Sequence, residues 1–164
     1  MSTAATFVRT WPALASLGAG LVHVAIAAGS GWIVGGALVV LAAAELAWAA
    51  LSLIRGRVVA PRLTLGISLA AAVASVSLVF LGRDLDLAAF PLLAAAVFDT
   101  VVAASAAVVV RRGAGKAGPD ALGGWRAVVG IAVGAMLVSA LATPALAGTD
   151  AGAFAVPHGT HSGH

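Results

Sequence analysis

The sequence has no cysteine, no tyrosine, a single lysine (Lys116), and only nine basic and six acidic side chains in 164 residues. Without cysteine there is no disulfide framework, no thiol redox chemistry, no iron–sulfur ligation and no lipobox anchor. The scarcity of charge excludes more. A soluble domain carries about a quarter charged residues because its outside must face water. Here the charged share is 9% and the hydrophobic share 62%. So few ionisable groups cannot solvate a whole globule, so its outside must face lipid, and the same apolar content excludes intrinsic disorder. The net charge of +3 does not point to nucleic acid, because the cationic residues fall at membrane boundaries. One lysine beside eight arginines, in a chain rich in Ala, Val, Gly and Leu, is the mark of a GC-rich genome.

A membrane helix needs about 20 apolar residues, with about 17 to 25 tolerated. Five stretches qualify, at about 12–28, 32–54, 63–81, 87–110 and 127–147. The sequence therefore predicts an all-α integral membrane bundle of five transmembrane helices over residues 1–147, followed by a histidine-containing tail over 148–164. Proline falls where helices accept it, at or just before a start (Pro12, Pro61, Pro91) or near an end (Pro144). Asp86 is placed to cap the fourth helix. Only Gly29, Ser30 and Gly31 separate the first two spans, which forces them antiparallel.

Lysine and arginine in the loops set the orientation. Arg9 precedes span one; Arg55, Arg57 and Arg62 join spans two and three; Arg111, Arg112, Lys116 and Arg126 join spans four and five. All eight share one side in a five-span arrangement, and the other side holds only Arg83, offset by Asp84 and Asp86. This predicts a multi-pass protein of the bacterial plasma membrane, with its N-terminus cytoplasmic and its C-terminus extracytoplasmic. Trp11 and Trp125 then fall at the inner interface, and Trp32, Phe80 and Phe90 at the outer one.

Each titratable side chain at membrane depth costs at least about 2.5 kcal/mol near a helix centre and calls for a reason. There are three: His23 in span one, Glu45 in span two and Asp99 in span four. Ser16, His23 and Ser30 recur every seven residues on one helical face, as do Glu45 and Ser52. Met136, Ser139 and Thr143 share a face of span five. The expectation is an intramembrane polar cluster of His23, Glu45, Asp99 and Met136, able to relay protons or ligate a divalent metal. A structural network that fixes helix register would use the same residues. Two acids and one base leave one carboxylate that is either neutral or cation-bound. Gly31 with Gly35, and Gly130 with Gly134, have the spacing of close helix contacts, within this chain or to another subunit.

In the tail, His158, His161 and His164 recur every third residue among Gly, Ser and Thr. Neutral imidazoles bind Cu(II), Ni(II) and Zn(II), and a pliable chain can wrap three of them around one ion. The competing reading is a solvated tail, or one docked on a partner.

Other chemistries lack their residues. Only one histidine lies within a span, against a bis-histidine haem. Lys116 lies in a loop, against a retinal Schiff base. No G-x-S-x-G elbow, Walker loop, G-x-G-x-x-G fingerprint or H-E-x-x-H occurs. The expectation is a non-enzyme without haem, flavin or nucleotide. Four fragments carry a resemblance: Gly20 to His23, Glu45 to Trp48, Phe98 with Asp99, and the Pro157, His158, Gly159 ending. In these the chain resembles a group of small actinobacterial polytopic membrane proteins of unassigned function, which implies a GC-rich bacterial origin and brings no activity. Two functions of different classes follow. One is transition-metal handling (Cu, Ni or Zn), with His158, His161 and His164 as the outer ligands and the intramembrane cluster as a second site or path. The other is a non-catalytic accessory subunit packed against a larger membrane complex, or against further copies of itself, within the lipid bilayer.

Overall fold

The computed structural model describes residues 3–81, 88–112 and 125–152. Five helices follow one another: α1 (Thr3–Gly29), α2 (Trp32–Arg55), α3 (Pro61–Leu81), α4 (Ala89–Arg112) and α5 (Trp125–Ala147). There is no strand among the described residues. Each helix holds 20 to 24 residues apolar enough to cross a membrane. At the helical rise this is about 30 to 36 Å, against a hydrocarbon core about 30 Å thick. Hydrocarbon offers no water to backbone N–H and C=O groups, so segments this apolar must satisfy them internally, and the helix does so. His158, His161 and His164 lie outside the described residues, as do Arg83, Asp84, Asp86 and Lys116.

Two helix starts differ from expectation. The first helix reaches back to Thr3, so Pro12 lies inside it rather than at its start, giving up one backbone hydrogen bond. The fourth starts at Ala89, with Pro91 in its first turn. Between α2 and α3 the chain reverses at Gly56, which takes the left-handed conformation (φ 60°) that glycine adopts without strain. The Gly56 N–H donates to the Leu53 carbonyl and the Arg57 N–H to the Ser52 carbonyl, both at 3.2 Å, closing the helix end. The Trp48 indole and the Thr64 hydroxyl both donate to the Val59 carbonyl, at 2.9 and 2.8 Å, and tie this turn to both helices.

The hub of the bundle is α1, which packs against α2, α4 and α5, while α3 packs on α4. Lipid tails are as apolar as the side chains between helices, so association rests on close packing, which small residues permit. A Cβ at Gly20 would stand 2.8 Å from Leu46 Cγ and 3.2 Å from the Ala42 carbonyl. One at Gly18 would stand 3.0 Å from both Phe98 and Val138, and one at Gly134 would stand 3.0 Å from Leu14. The close helix contacts expected of Gly35 and Gly134 are thus internal, to Ala27 and to Trp11 with Leu14, whereas nothing approaches Gly31 or Gly130 within 4 Å of an added Cβ.

These contacts also sort the helix ends. The Trp11 indole donates to the Gly130 carbonyl at 3.3 Å, near the starts of α1 and α5. At the opposite ends of the same helices, Gly29 abuts the Asp150 side chain, and Gly148 approaches Pro91 of α4. One end of the bundle therefore gathers Arg55, Arg57, Arg62, Arg111 and Arg112, all exposed. The other carries the turn between α1 and α2, with Trp32, Phe80 and Phe90 exposed around it. We refer to the arginine end and the hairpin end. Trp11 turns toward α5 rather than serving only as a lipid-facing anchor.

One expected face is overturned. Met136 is 71% exposed, and Ser139 and Thr143 are exposed beside it, so Met136 is not part of the interior cluster. The packed face of α5 is instead Gly134, Val138, Ala142 and Ala145. A hydroxyl does not force a helix face inward, because it can bond the carbonyl one turn back. Ser77, Thr100 and Ser105 do so here, at 2.7 to 2.8 Å. Side-chain size, not polarity, selects the face.

Gly20→Ala is expected to lower stability by about 1 to 3 kcal/mol through overpacking against α2. Gly66→Ala meets no atom within 4 Å and should leave stability unchanged or raise it by up to about 1 kcal/mol. Unfolding of both variants in detergent against increasing denaturant checks the pair.

Candidate functional site

Three titratable side chains converge at mid-membrane. His23 lies six residues, or about 9 Å of helix rise, from the end of α1. Glu45 and Asp99 lie near the middles of α2 and α4. Every Cα–Cβ bond leans toward its helix's N-terminus. His23 therefore leans toward the arginine end, whereas Glu45 and Asp99, on antiparallel helices, lean toward the hairpin end. Their tips meet although their backbones do not sit level. The small residues beside them allow it, since Gly20 lets α2 approach α1 and Gly18 receives the ring of Phe98, next to Asp99.

All three are interior, with His23 at 0%, Asp99 at 2% and Glu45 at 8% exposure. His23 Nδ1 and Glu45 Oε2 are 2.9 Å apart, within hydrogen-bond distance. On its other side, His23 Nε2 faces Ser75 Oγ of α3 at 3.5 Å, the outer limit of a hydrogen bond. The Ser16 hydroxyl donates to the backbone carbonyl of Glu45 at 3.0 Å, fixing the register of α1 against α2 beside the carboxylate. Asp99 completes the group: one ligand atom from each of His23, Glu45 and Asp99 lies within 4.8 Å of the other two.

Buried polar atoms without partners cost about 1 to 3 kcal/mol each, and more when charged. Glu45 Oε1 and Asp99 Oδ2 are two such atoms, in a site that already brings a second acid against a histidine–carboxylate pair. The donor set is one imidazole nitrogen with two carboxylates, and among the described residues no sulfur approaches it, since Met136 lies on the outside of α5. Donors on a common ion bonded at about 2.0 to 2.2 Å sit about 3 to 3.5 Å apart. The His23–Glu45 distance of 2.9 Å is just short of that range, and the three ligand atoms lie within 4.8 Å of one another.

Ser75 was not foreseen from the sequence. Its signal is a stripe on α3, where Thr64, Ser68 and Ser75 recur at intervals of four and seven residues and all are buried. This helix carries no acid or histidine within its span, and without a charged residue to draw attention the stripe passes for ordinary composition. Ser52, expected on the face of Glu45, is there and buried.

No protein-family model matches the chain, and no match is found among curated proteins or solved structures. The functional reading therefore rests on the residues themselves.

Removing one partner of a buried pair leaves the other uncompensated, so His23→Ala should destabilise the bundle by about 3 to 5 kcal/mol. Ser75→Ala, which removes only a long contact, should cost no more than about 1 kcal/mol. Detergent unfolding read by helical circular dichroism separates the two.

Proposed function

We propose that this membrane protein binds a divalent transition-metal ion within its bundle, with His23, Glu45 and Asp99 as ligands. The observation that carries this reading is the meeting of three ligand-type side chains from three helices in the lipid interior, with one oxygen of each carboxylate unpartnered. Charge favours the same ligand. Neutral His23 with two carboxylates carries two negative charges, which one divalent cation cancels, leaving a neutral group in a medium that penalises net charge. The mixed nitrogen and oxygen donors suit Zn(II), Ni(II) or Cu(II), whereas Cu(I) favours the sulfur that this site lacks.

The cationic loops support a cytoplasmic arginine end, which makes the N-terminus cytoplasmic and carries the tail to the exterior. There His158, His161 and His164 form a second, outer site for the same class of ion. The protein's role is to hold or hand on metal and not to catalyse a reaction.

Equilibrium dialysis of the purified full-length protein tests this. Two zinc or nickel ions per chain are expected, falling to one when the three tail histidines are replaced by alanine. Glu45→Gln or Asp99→Asn in that background should weaken the remaining site by more than the roughly 10- to 100-fold typical of losing an outer-shell partner. If the tail-substituted protein binds no metal, the intramembrane group is a register-fixing network and the proposal fails. Protease cleavage of a C-terminal epitope on intact cells checks the orientation, and protection of that epitope would reverse it.

A further inference from the structure

We infer that the intramembrane site exchanges its ion with the arginine end of the bundle only, and is sealed from the hairpin end. This inference rests on the metal-site reading and adds a direction to it.

Interior chemistry differs on the two sides of the cluster. Toward the arginine end lie the buried hydroxyls of Thr10, Ser16, Ser52, Thr64 and Ser68. Toward the hairpin end the interior is aliphatic, with Ile26, Leu38, Leu92 and Ala95 in a core that continues past the cluster through Val22, Ala19 and Val102. Ser75, which faces His23, is level with the cluster; nearer the hairpin end the buried polar side chain among the described residues is Thr149, beyond the end of α5.

The hydroxyls are arranged in sequence along the helices. Ser52 stands two turns beyond Glu45 on the same face of α2, about 10 Å closer to the arginine end. The register fixed by Ser16 with Glu45, and by Gly35 with Ala27, places Thr10 opposite it. On α3, Ser68 and Thr64 continue from Ser75 in the same direction, reaching about 16 Å from it. Between these positions stand Ala49, Ala71 and Ala72, which add no bulk. The Ser52 hydroxyl is 1% exposed and has no partner. An interior hydroxyl left unpaired two turns from an unpaired carboxylate oxygen marks a path for a polar guest, since neither contributes to holding the helices together.

An ion moving toward the hairpin end would pass Ser75 and then shed its water against Ile26, Leu38, Leu92 and Ala95, which hydrocarbon penalises heavily. Moving the other way, it meets an oxygen about every second turn. The arginines at that end are exposed and stand outside the interior route. With that end in the cytoplasm, the site samples the cytoplasmic ion pool.

The absence of native cysteine permits a direct test. Ser52→Cys, Ser68→Cys, Ile26→Cys and Leu38→Cys are each made in the full chain, in sealed membrane vesicles of both orientations, and treated with a charged, membrane-impermeant methanethiosulfonate. Ser52→Cys and Ser68→Cys should react from the arginine end about tenfold faster than Ile26→Cys and Leu38→Cys react from either end, a difference of about 1.4 kcal/mol in access. Added zinc should slow the first pair. Equal rates in the two pairs, or faster reaction of Ile26→Cys and Leu38→Cys, overturn the one-sided route. The labelling rates report the route whether or not an ion binds, and zinc protection reports the site, so the two claims fail separately. Two positions on each side keep the comparison intact if one substitution disturbs folding.

Discussion

Everything in this structure is arranged around the hydrogen-bonded pair of His23 and Glu45 in a medium that does not tolerate unpaired charge. The pair joins the central helix to α2 at a depth where water cannot take over either partner. It stands where the antiparallel directions of α1 and α2 aim two side chains at each other. The Ser16 hydroxyl on the Glu45 carbonyl and the absence of a side chain at Gly20 hold the two helices in the register that the pair requires. Asp99 then enters from α4 as a second acid against a base that is already matched. That excess of one carboxylate is what the proposed metal site draws on. The metal reading follows from it, because a divalent cation satisfies both acids and the imidazole together.

Close helix packing surrounds this group. With no hydrophobic driving force between helices in lipid, α1 gathers its neighbours by close approach at Gly18, Gly20, Gly35 and Gly134. The interior between the cluster and the hairpin end is aliphatic, whereas the interior between the cluster and the arginines mixes aliphatic side chains with five buried hydroxyls.

Much of this was legible in the sequence, for identifiable reasons. Five helices follow from apolar length alone, because hydrocarbon thickness sets a ruler that composition cannot evade. His23, Glu45 and Asp99 announced themselves because each is expensive at its depth. That they meet could be expected from charge but not demonstrated, since periodicity gives the face of a helix and not its neighbour. Polarity misled at Met136, Ser139 and Thr143, where helix packing is governed by size and a hydroxyl can satisfy itself one turn back. The helix boundaries at Thr3 and Ala89 shifted because Pro12 and Pro91 are tolerated inside a helix and within its first turn. Ser75 and its stripe on α3 escaped notice because serine is cheap in a membrane and signals nothing by itself.

The central claim is that one imidazole and two carboxylates form the inner metal site. X-ray absorption of the zinc-loaded full-length protein, with His158, His161 and His164 replaced, examines it most directly. The account predicts a first shell of nitrogen and oxygen at about 2.0 to 2.2 Å with the outer-shell signature of a single imidazole and no sulfur. A shell of several imidazoles, a sulfur ligand, or a purely aqueous ion would contradict it.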